Sequence, residues 1–321
     1  MIKRLSKQYP IEQSRLYHLS SKKRLAALLG SNLPTLQKFA ASNDNYRIFC
    51  IRQDNGKLRT VEEPKPDLKN IHTRLAVLLS RIEAPTYLHS GVKGRSYLTN
   101  AKAHLTGEQV IKTDVCSFYP STTTHHVFIG LLREFKCSGD VARLIANLST
   151  YRGHLPTGSP VSMLLAFYAH KQIFDSLEHR MNARGITMTV YVDDLTLSGE
   201  HSMHADLCAV KNSFRAVGLS CHKTRSFSKQ VPKLITGAIV TSGGLRLPNR
   251  RHLRIAMNIG RLETASSHHD LQALRARLLG QLPEAARVDD RWKARLHGYK
   301  SLVSRIALIT EGRLGDTLKQ P

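Results

Sequence analysis

Residues 186–198, ITMTVYVDDLTLS, alternate apolar and small polar side chains on both sides of Asp193-Asp194. That period of two predicts a β-hairpin with two adjacent carboxylates at its tip. Aspartate suits turns, so an Asp-rich turn is the plain reading of the pair. The flanks argue for more. Both arms are apolar enough to be buried, and two like charges at their junction then need a cation to neutralise them. A second apolar strand, residues 108–115, runs into Asp114, 79 positions before Asp193. Three carboxylates from two neighbouring strands make a hard-oxygen site for Mg²⁺. Two such ions, about 3.5–4 Å apart, can serve both ends of an in-line phosphoryl transfer. One lowers the pKa of an attacking hydroxyl while the other holds a triphosphate and steadies its leaving pyrophosphate. Positioning and charge then carry the catalysis, with little covalent chemistry left to the protein.

Outward from this centre, residues 1–40 read as helical, with Leu25, Leu28, Leu29, Leu33 and Leu36 in apolar register and Pro34 at a helix start. Residues 46–62 read as a hairpin whose apolar alternating arms flank Asp54-Asn55-Gly56. Residues 67–83 form an amphipathic helix through Leu68, Ile71, Leu75, Leu78, Leu79 and Ile82. A long helix is expected over 161–181, another over 205–217, a strand over 233–240, and basic helices to the end. The central order of strand, helix, hairpin, helix, strand predicts an α+β fold, an antiparallel sheet backed by helices on one face.

The chain has 321 residues, 41% of them hydrophobic, which is enough for one large or two to three small globular subdomains. Lys and Arg number 48 against 24 Asp and Glu, and a net charge of +24 points to a polyanionic partner. Nucleic acid is favoured over an anionic membrane, because no apolar run approaches the roughly 18 residues of a span. The first twenty residues lack the apolar stretch of a signal peptide. Five scattered cysteines read as reduced thiols of a cytosolic, cytoplasmic protein. A zinc site from His201, His204, Cys208, Cys221 and His222 matches no familiar spacing. Residues 221–254 carry eight Lys/Arg and no acid, and residues 246–321 carry fifteen basic against seven acidic residues. A window without acid is unlike a mixed solvated face and predicts phosphate contact.

Tyr191-Val192-Asp193-Asp194 resembles the YxDD box of reverse transcriptases, and residues 112–121, KTDVCSFYPS, resemble the aspartate motif that precedes it. The four-letter box alone is weak; with the upstream motif at the right distance it is specific. The resemblance implies a right-hand polymerase. Fingers would take residues 1 to about 105, the palm 106–240, and a helical basic thumb 241–321. It also implies two Mg²⁺ ions on Asp114, Val115, Asp193 and Asp194, with Val115 also against the dNTP. Tyr119 falls where the family places an aromatic residue that stacks under the sugar and excludes a 2′-hydroxyl. Residues 155–160, LPTGSP, resemble the LPQGxP box that approaches the incoming nucleotide and template base. Here Thr157 replaces the usual Gln before Gly158, which puts any side-chain amide role in doubt. Met163 stands where retron enzymes often have Pro. Residues 57–61 resemble the first fingers motif, so Arg59 should reach the triphosphate, where a guanidinium fork suits phosphate oxygens. Lys93 and Arg95 are further candidates for triphosphate or template, with a solvated surface as the alternative. Lys223 stands where the family has a lysine that could protonate pyrophosphate; it could equally face the RNA.

Two segments resemble features specific to bacterial retron reverse transcriptases. Residues 100–104, NAKAH, fit an NAxxH motif, and Ile235-Thr236-Gly237 fits a VTG motif with Ile for Val. Asn100, His104, Thr236, Gly237, Arg250, Arg251 and Arg254 are the implied RNA-binding residues. The resemblance covers roughly residues 46–250 and implies a compact enzyme with no RNase H, maturase or integrase domain. Such enzymes copy part of a cognate structured non-coding RNA into short single-stranded DNA. They prime from a guanosine 2′-hydroxyl, leave a branched RNA–DNA product, and act in anti-phage defence with an effector protein from the same operon. Two rivals remain. One is another small bacterial reverse transcriptase of the group II intron or abortive-infection type. The other is a catalytically inactive RNA-binding scaffold.

Overall fold

The computed structural model describes residues 8–53, 56–105, 108–200 and 203–317, with side chains to residue 313. After a 3-10 turn at Ile11–Gln13 come α1 (Lys22–Leu28), α2 (Leu33–Ala41), β1 (Tyr46–Arg52), β2 (Leu58–Pro64), α3 (Pro66–Leu79) and α4 (Tyr97–Lys102). The middle of the chain forms β3 (Gln109–Val115), α5 (Phe118–Ser121), α6 (Thr124–Phe135), α7 (Gly139–Ser149), α8 (Ser162–Asn182), β4 (Thr187–Tyr191), β5 (Asp194–Gly199), α9 (His204–Arg215) and β6 (Cys221–Phe227). The rest forms β7 (Lys233–Ile235), β8 (Ala238–Thr241), β9 (Gly244–Arg246), α10 (Asn249–Glu263), α11 (His268–Val288) and α12 (Asp290–Thr317). The mixture of helices and antiparallel sheet is the α+β class expected from the sequence.

Local chemistry sets the helix ends. Asn32 accepts from Thr35 N at 2.9 Å and Pro34 occupies the first turn of α2, so two of the signals for a helix start coincide. Thr123 and His126 close a reciprocal capping box at the start of α6.

Contacts divide the chain into two compact units, residues 1–96 with 111–226, and residues 97–110 with 227–321. The first holds a four-stranded sheet in the order β4-β5-β3-β6 and the two-stranded hairpin β1-β2. Met188, Val190, Leu195 and Leu197 of the β4-β5 hairpin are buried in one core with Leu164, Phe174 and Leu177 of α8 and Val210 and Phe214 of α9. Truncating a fully buried ring such as Phe214 to alanine costs about 3–5 kcal/mol. Helices α6 and α8 cross at Gly130, where an added Cβ would lie 2.7 Å from Ala169 Cα. The close approach therefore requires glycine.

The second unit holds the antiparallel meander β7-β8-β9, α4 packed on β8, and the helices α10, α11 and α12. Its separate core includes Ile235, Val240, Ile255, Leu262, Leu278, Leu282 and Val303.

Several expectations need correction. The single strand over 233–240 is a hairpin, β7-β8, turning at Thr236 and Gly237 with φ of 43° and 91°. Two successive positive φ angles are what a tight two-residue hairpin turn needs, and Gly supplies one freely. The β1-β2 hairpin forms, but its apolar alternation does not mark a buried face: Ile48, Phe49, Ile51 and Leu58 are exposed. Asp54 and Asn55 of its turn lie outside the described residues, as does His201 of the zinc alternative. The helix expected over 67–83 ends at Leu79. Helices α6 and α7 and strand β6 were not anticipated.

Candidate active site

In the β4-β5 hairpin Tyr191 pairs with Asp194, which leaves Val192-Asp193 as the turn. Val192 takes φ 59°, a strained conformation for a β-branched residue. Its amide donates to the buried Ser90 Oγ at 2.9 Å, so the turn is held from outside the hairpin. Residues 87–90 run along β4 through Val190 N to Tyr87 O (2.8 Å) and His89 N to Val190 O (2.9 Å). On the other side Val115 N donates to Asp193 O at 2.9 Å. Sheet order places β5 beside β3, which brings the strand ends carrying Asp194 and Asp114 together. Val115 itself is buried in the core, so only its backbone can serve the site.

The edge strand β6 adds two residues. Thr113 Oγ1 donates to His222 O at 3.3 Å and Cys116 N donates to Ser220 O at 2.8 Å, so β3 and β6 run in opposite senses here. His222 Nε2 and Lys223 Nζ both reach Asp114 Oδ2, at 2.8 Å and 2.5 Å. Successive side chains of a regular strand point to opposite faces. Lys223 has φ 49°, and this local break in the strand lets both neighbours meet one carboxylate.

The electrostatics are those of a partly neutralised acid cluster. Burial and then the charge of Asp114 push the Asp193 carboxyl upward. The same two causes push Asp194 up to about 6, aided by Asp193 and by a hydrogen bond shared with Asp114, while Lys112 opposes them. A hydrogen bond to Asp114 holds Lys223 protonated above its ordinary range. Burial, then the charge of Asp193, moves the Tyr119 hydroxyl up to about 12 while Arg59 acts against it. Asp193, Arg59 and Tyr119 therefore sense one another.

The donor chemistry fits a divalent cation. Asp114, Asp193 and Asp194 are hard-oxygen ligands, and burial first and the charge of Asp114 second make Asp193 and Asp194 resist ionising. Lys223 and His222 both bond to Asp114, and no group of three or more His, Cys, Asp or Glu among the described residues is spaced to hold a metal ion. The same holds for His204, Cys208, Cys221 and His222, the described members of the alternative zinc cluster.

The 155–160 loop docks on β2, the strand that carries Arg59. Thr157 Oγ1 donates to Thr60 O at 3.1 Å and accepts from Glu62 N at 3.3 Å. Gly158 N donates to Glu62 O at 3.1 Å, and a Cβ at Gly158 would lie 2.8 Å from that oxygen. The residue that departs from the family pattern thus staples the loop to the hairpin. Arg59 and Lys93 are exposed. Arg95 is otherwise engaged: its Nη1 donates to the carbonyls of Pro85, Thr86 and Leu88. It braces the segment that runs beside β4.

The motif residues of the second unit come together in the interior. Asn100 and His104 are completely buried. Asn100 Nδ2 donates to Thr236 Oγ1 at 3.4 Å, and Thr236 Oγ1 donates to Tyr97 O at 2.9 Å. The two motifs therefore form one clasp between α4 and the β7-β8 turn, with Gly237 completing the turn. The basic run is also partly internal. Lys233 is buried, Arg246 faces Asp289 at 3.7 Å, and Arg251 is held by Tyr97 and Glu284. Arg250 and Arg254 are exposed on α10.

Comparison with known proteins finds relatives by sequence. The chain is 30% identical over 274 residues to the retron Mx162 reverse transcriptase of Myxococcus xanthus, covering 74% of the chain and 56% of that protein. It is 27% identical over 260 residues to the retron Se72 reverse transcriptase of Salmonella heidelberg, covering 76% and 69%. By sequence, the chain is similar to the retron reverse transcriptases over about three quarters of its length. It spans a little over half the length of the Mx162 protein and about half that of the retron Ec86 enzyme of Escherichia coli, of which 49% is matched at 27% identity. No family model matches. A truncated apo telomerase from Candida tropicalis aligns with a TM-score of 0.48 and 11% identity over 64% of this chain and 55% of that one. No described helix of this retron-type chain is long and apolar enough to cross a membrane.

Three site residues were not anticipated. The sequence offers His222 only as a zinc ligand, and Ser90 and Tyr87 carry no expectation. Only His222 carried a usable signal, as the neighbour of Lys223.

Proposed function

We propose that this chain is an RNA-directed DNA polymerase that copies part of a cognate structured RNA. The observation that carries the reading is the convergence of Asp114, Asp193 and Asp194 from β3 and the β4-β5 turn, with Tyr119 and Arg59 sensing the charge of Asp193. Asp114, Asp193, Asp194 and the backbone of Val115 would hold two Mg²⁺ ions, which supply a lowered pKa at the attacking hydroxyl and charge stabilisation at the leaving pyrophosphate. Arg59 binds the triphosphate of the dNTP from the exposed face of β2. Thr157 and Gly158 hold that strand against the loop beside the template. Tyr119 packs under the incoming sugar and excludes ribonucleotides. Lys223, kept protonated by Asp114, hands its proton to pyrophosphate.

In this reading the β1-β2 hairpin and the N-terminal helices serve as fingers (residues 1–105), the sheet as palm (106–240), and the last helices as thumb (241–321). Arg250 and Arg254 meet the RNA backbone. Asn100, His104, Arg251 and Thr236 shape that surface from inside. The RNA is primed from a guanosine 2′-hydroxyl, the product is a branched RNA–DNA in the bacterial cytoplasm, and an effector protein encoded beside it completes an antiviral defence system. The test is expression with the upstream genomic flank, followed by denaturing gels with and without RNase and debranching enzyme. A discrete short DNA that shifts on debranching supports the retron product. DNA synthesis on a generic primed RNA without that band leaves a reverse transcriptase of another type.

One observation favours a second reading, a catalytically inactive RNA-binding scaffold: Asp114 is already bound by Lys223 and His222. Absence of DNA synthesis with Mg²⁺ and dNTPs on any template would favour it.

A further inference from the structure

The second unit carries an open cavity of about 390 Å³ between the start of α10 and the start of α12. That is within the size range of pockets for one small ligand, about 300–1,000 Å³. Its walls are Asn249, His252, Arg291, Trp292, Arg295 and Tyr299. They include three aromatic rings, two guanidinium groups and an amide, with no carboxylate and no aliphatic side chain.

The rings are organised in advance. Trp292 and Tyr299 lie two turns apart on one face of α12 and stack at 4.8 Å with 19° between their planes. Trp292 is buried and backs the half-buried Tyr299. Trp292 Nε1 donates to His252 Nδ1 at 3.2 Å, which fixes the imidazole and leaves Nε2 as its donor when neutral. The cations differ in state. Arg291 is locked by Asp289 through Nε (3.1 Å) and Nη2 (2.9 Å). Arg295 is exposed, and among the described residues no carboxylate pairs with it.

A lipid or aliphatic chain finds no aliphatic wall here. A planar, hydrogen-bonding, anionic ligand finds a partner on every side. Base stacking on an aromatic ring beside an arginine is how single strands are held irrespective of sequence. A base inside a duplex is already stacked and paired and could not enter. We propose that this cavity binds one unpaired nucleotide of single-stranded RNA, with the base against Tyr299 and His252 and the phosphate on Arg295. The choice of RNA as the strand rests on the RNA-directed reading above; the cavity's chemistry does not.

Trp292 is the single tryptophan of the chain and reports directly on the site. The full chain is titrated with a single-stranded RNA octamer, a blunt RNA–DNA duplex and adenosine monophosphate, and tryptophan fluorescence is read. The expected result is quenching by the octamer at concentrations where the duplex and the mononucleotide have little effect. Arg295→Ala and Tyr299→Ala should each weaken octamer binding about tenfold, while Tyr299→Phe binds like the parent. Arg295 is exposed, so its variant keeps the test valid if Tyr299→Ala fails to fold. Equal quenching by the mononucleotide, equal quenching by the duplex, or unchanged octamer affinity in Arg295→Ala would each overturn the proposal. Primer extension by the parent is run alongside. No DNA synthesis with the expected quenching sinks the polymerase reading and spares the site; DNA synthesis without quenching does the reverse.

Discussion

Lys223 Nζ lies 2.5 Å from Asp114 Oδ2, at the one point where β6 leaves regular strand geometry. The same break turns His222 toward that oxygen at 2.8 Å. A lysine so placed is kept charged and within reach of the carboxylate cluster, as a proton donor to pyrophosphate must be. Lys223→Ala should lower the rate of nucleotide addition about 10²-fold, the usual scale for loss of a general acid. Single-turnover extension reads this; an unchanged rate would remove Lys223 from the chemistry.

Thr157 and Gly158 fasten the 155–160 loop to the strand bearing Arg59. Thr157→Val removes both hydroxyl contacts and should cost about 1 kcal/mol of stability, with a raised KM for dNTP. Gly158→Ala should do more harm, because its Cβ meets backbone at Glu62 that cannot yield without moving β2. Steady-state dNTP titrations of the two variants test the order of effects.

Tyr119 is half-buried and its hydroxyl stays protonated. Tyr119→Ala should relax the rejection of ribonucleotides by roughly tenfold or more, since a steric wall is lost. Competition between dNTP and rNTP in primer extension measures this. Unchanged selectivity would place the sugar elsewhere.

His72 and His170 are buried, and burial lowers them to about 4 and about 3. Their folded values lie below the unfolded value, so the stability they contribute is complete above about pH 6.5. It is lost as pH falls from there through the folded values, where the unfolded chain binds more protons. For His72, which bridges Ser159 Oγ and Leu148 O at 2.8 Å each, this amounts to roughly 3 kcal/mol. Thermal melting should drop between pH 6.5 and 4, and His72→Gln should flatten that slope. The same slope in the variant would contradict the assignment.

The apolar periods made the long buried elements legible. Helix α8, β3 and the β4-β5 hairpin lie within a residue or two of their expected positions, because their buried apolar residues dictate the pattern. Strand β6 was not legible. As an edge strand reading CHKTRSF it buries little, and its Lys and Arg resemble a solvated run. The positive φ angles at Val192, Lys223 and Thr236 were likewise hidden, since none is glycine. The aspartates could be read as a set because they end apolar strands. Arg95, Asn100 and His104 could be singled out but not placed. Letters cannot tell an arginine that meets phosphate from one that caps carbonyls, nor a motif that touches RNA from one that clasps a turn.

The most direct test of the account is primer extension on a primed RNA template with Mg²⁺ and dNTPs, comparing the parent with the Asp193→Asn, Asp194→Asn double variant. RNA binding by both proteins is measured in parallel. The account predicts DNA synthesis by the parent, its loss in the variant and on chelation of Mg²⁺, and nearly unchanged RNA affinity. DNA synthesis that survives in the folded double variant would contradict it.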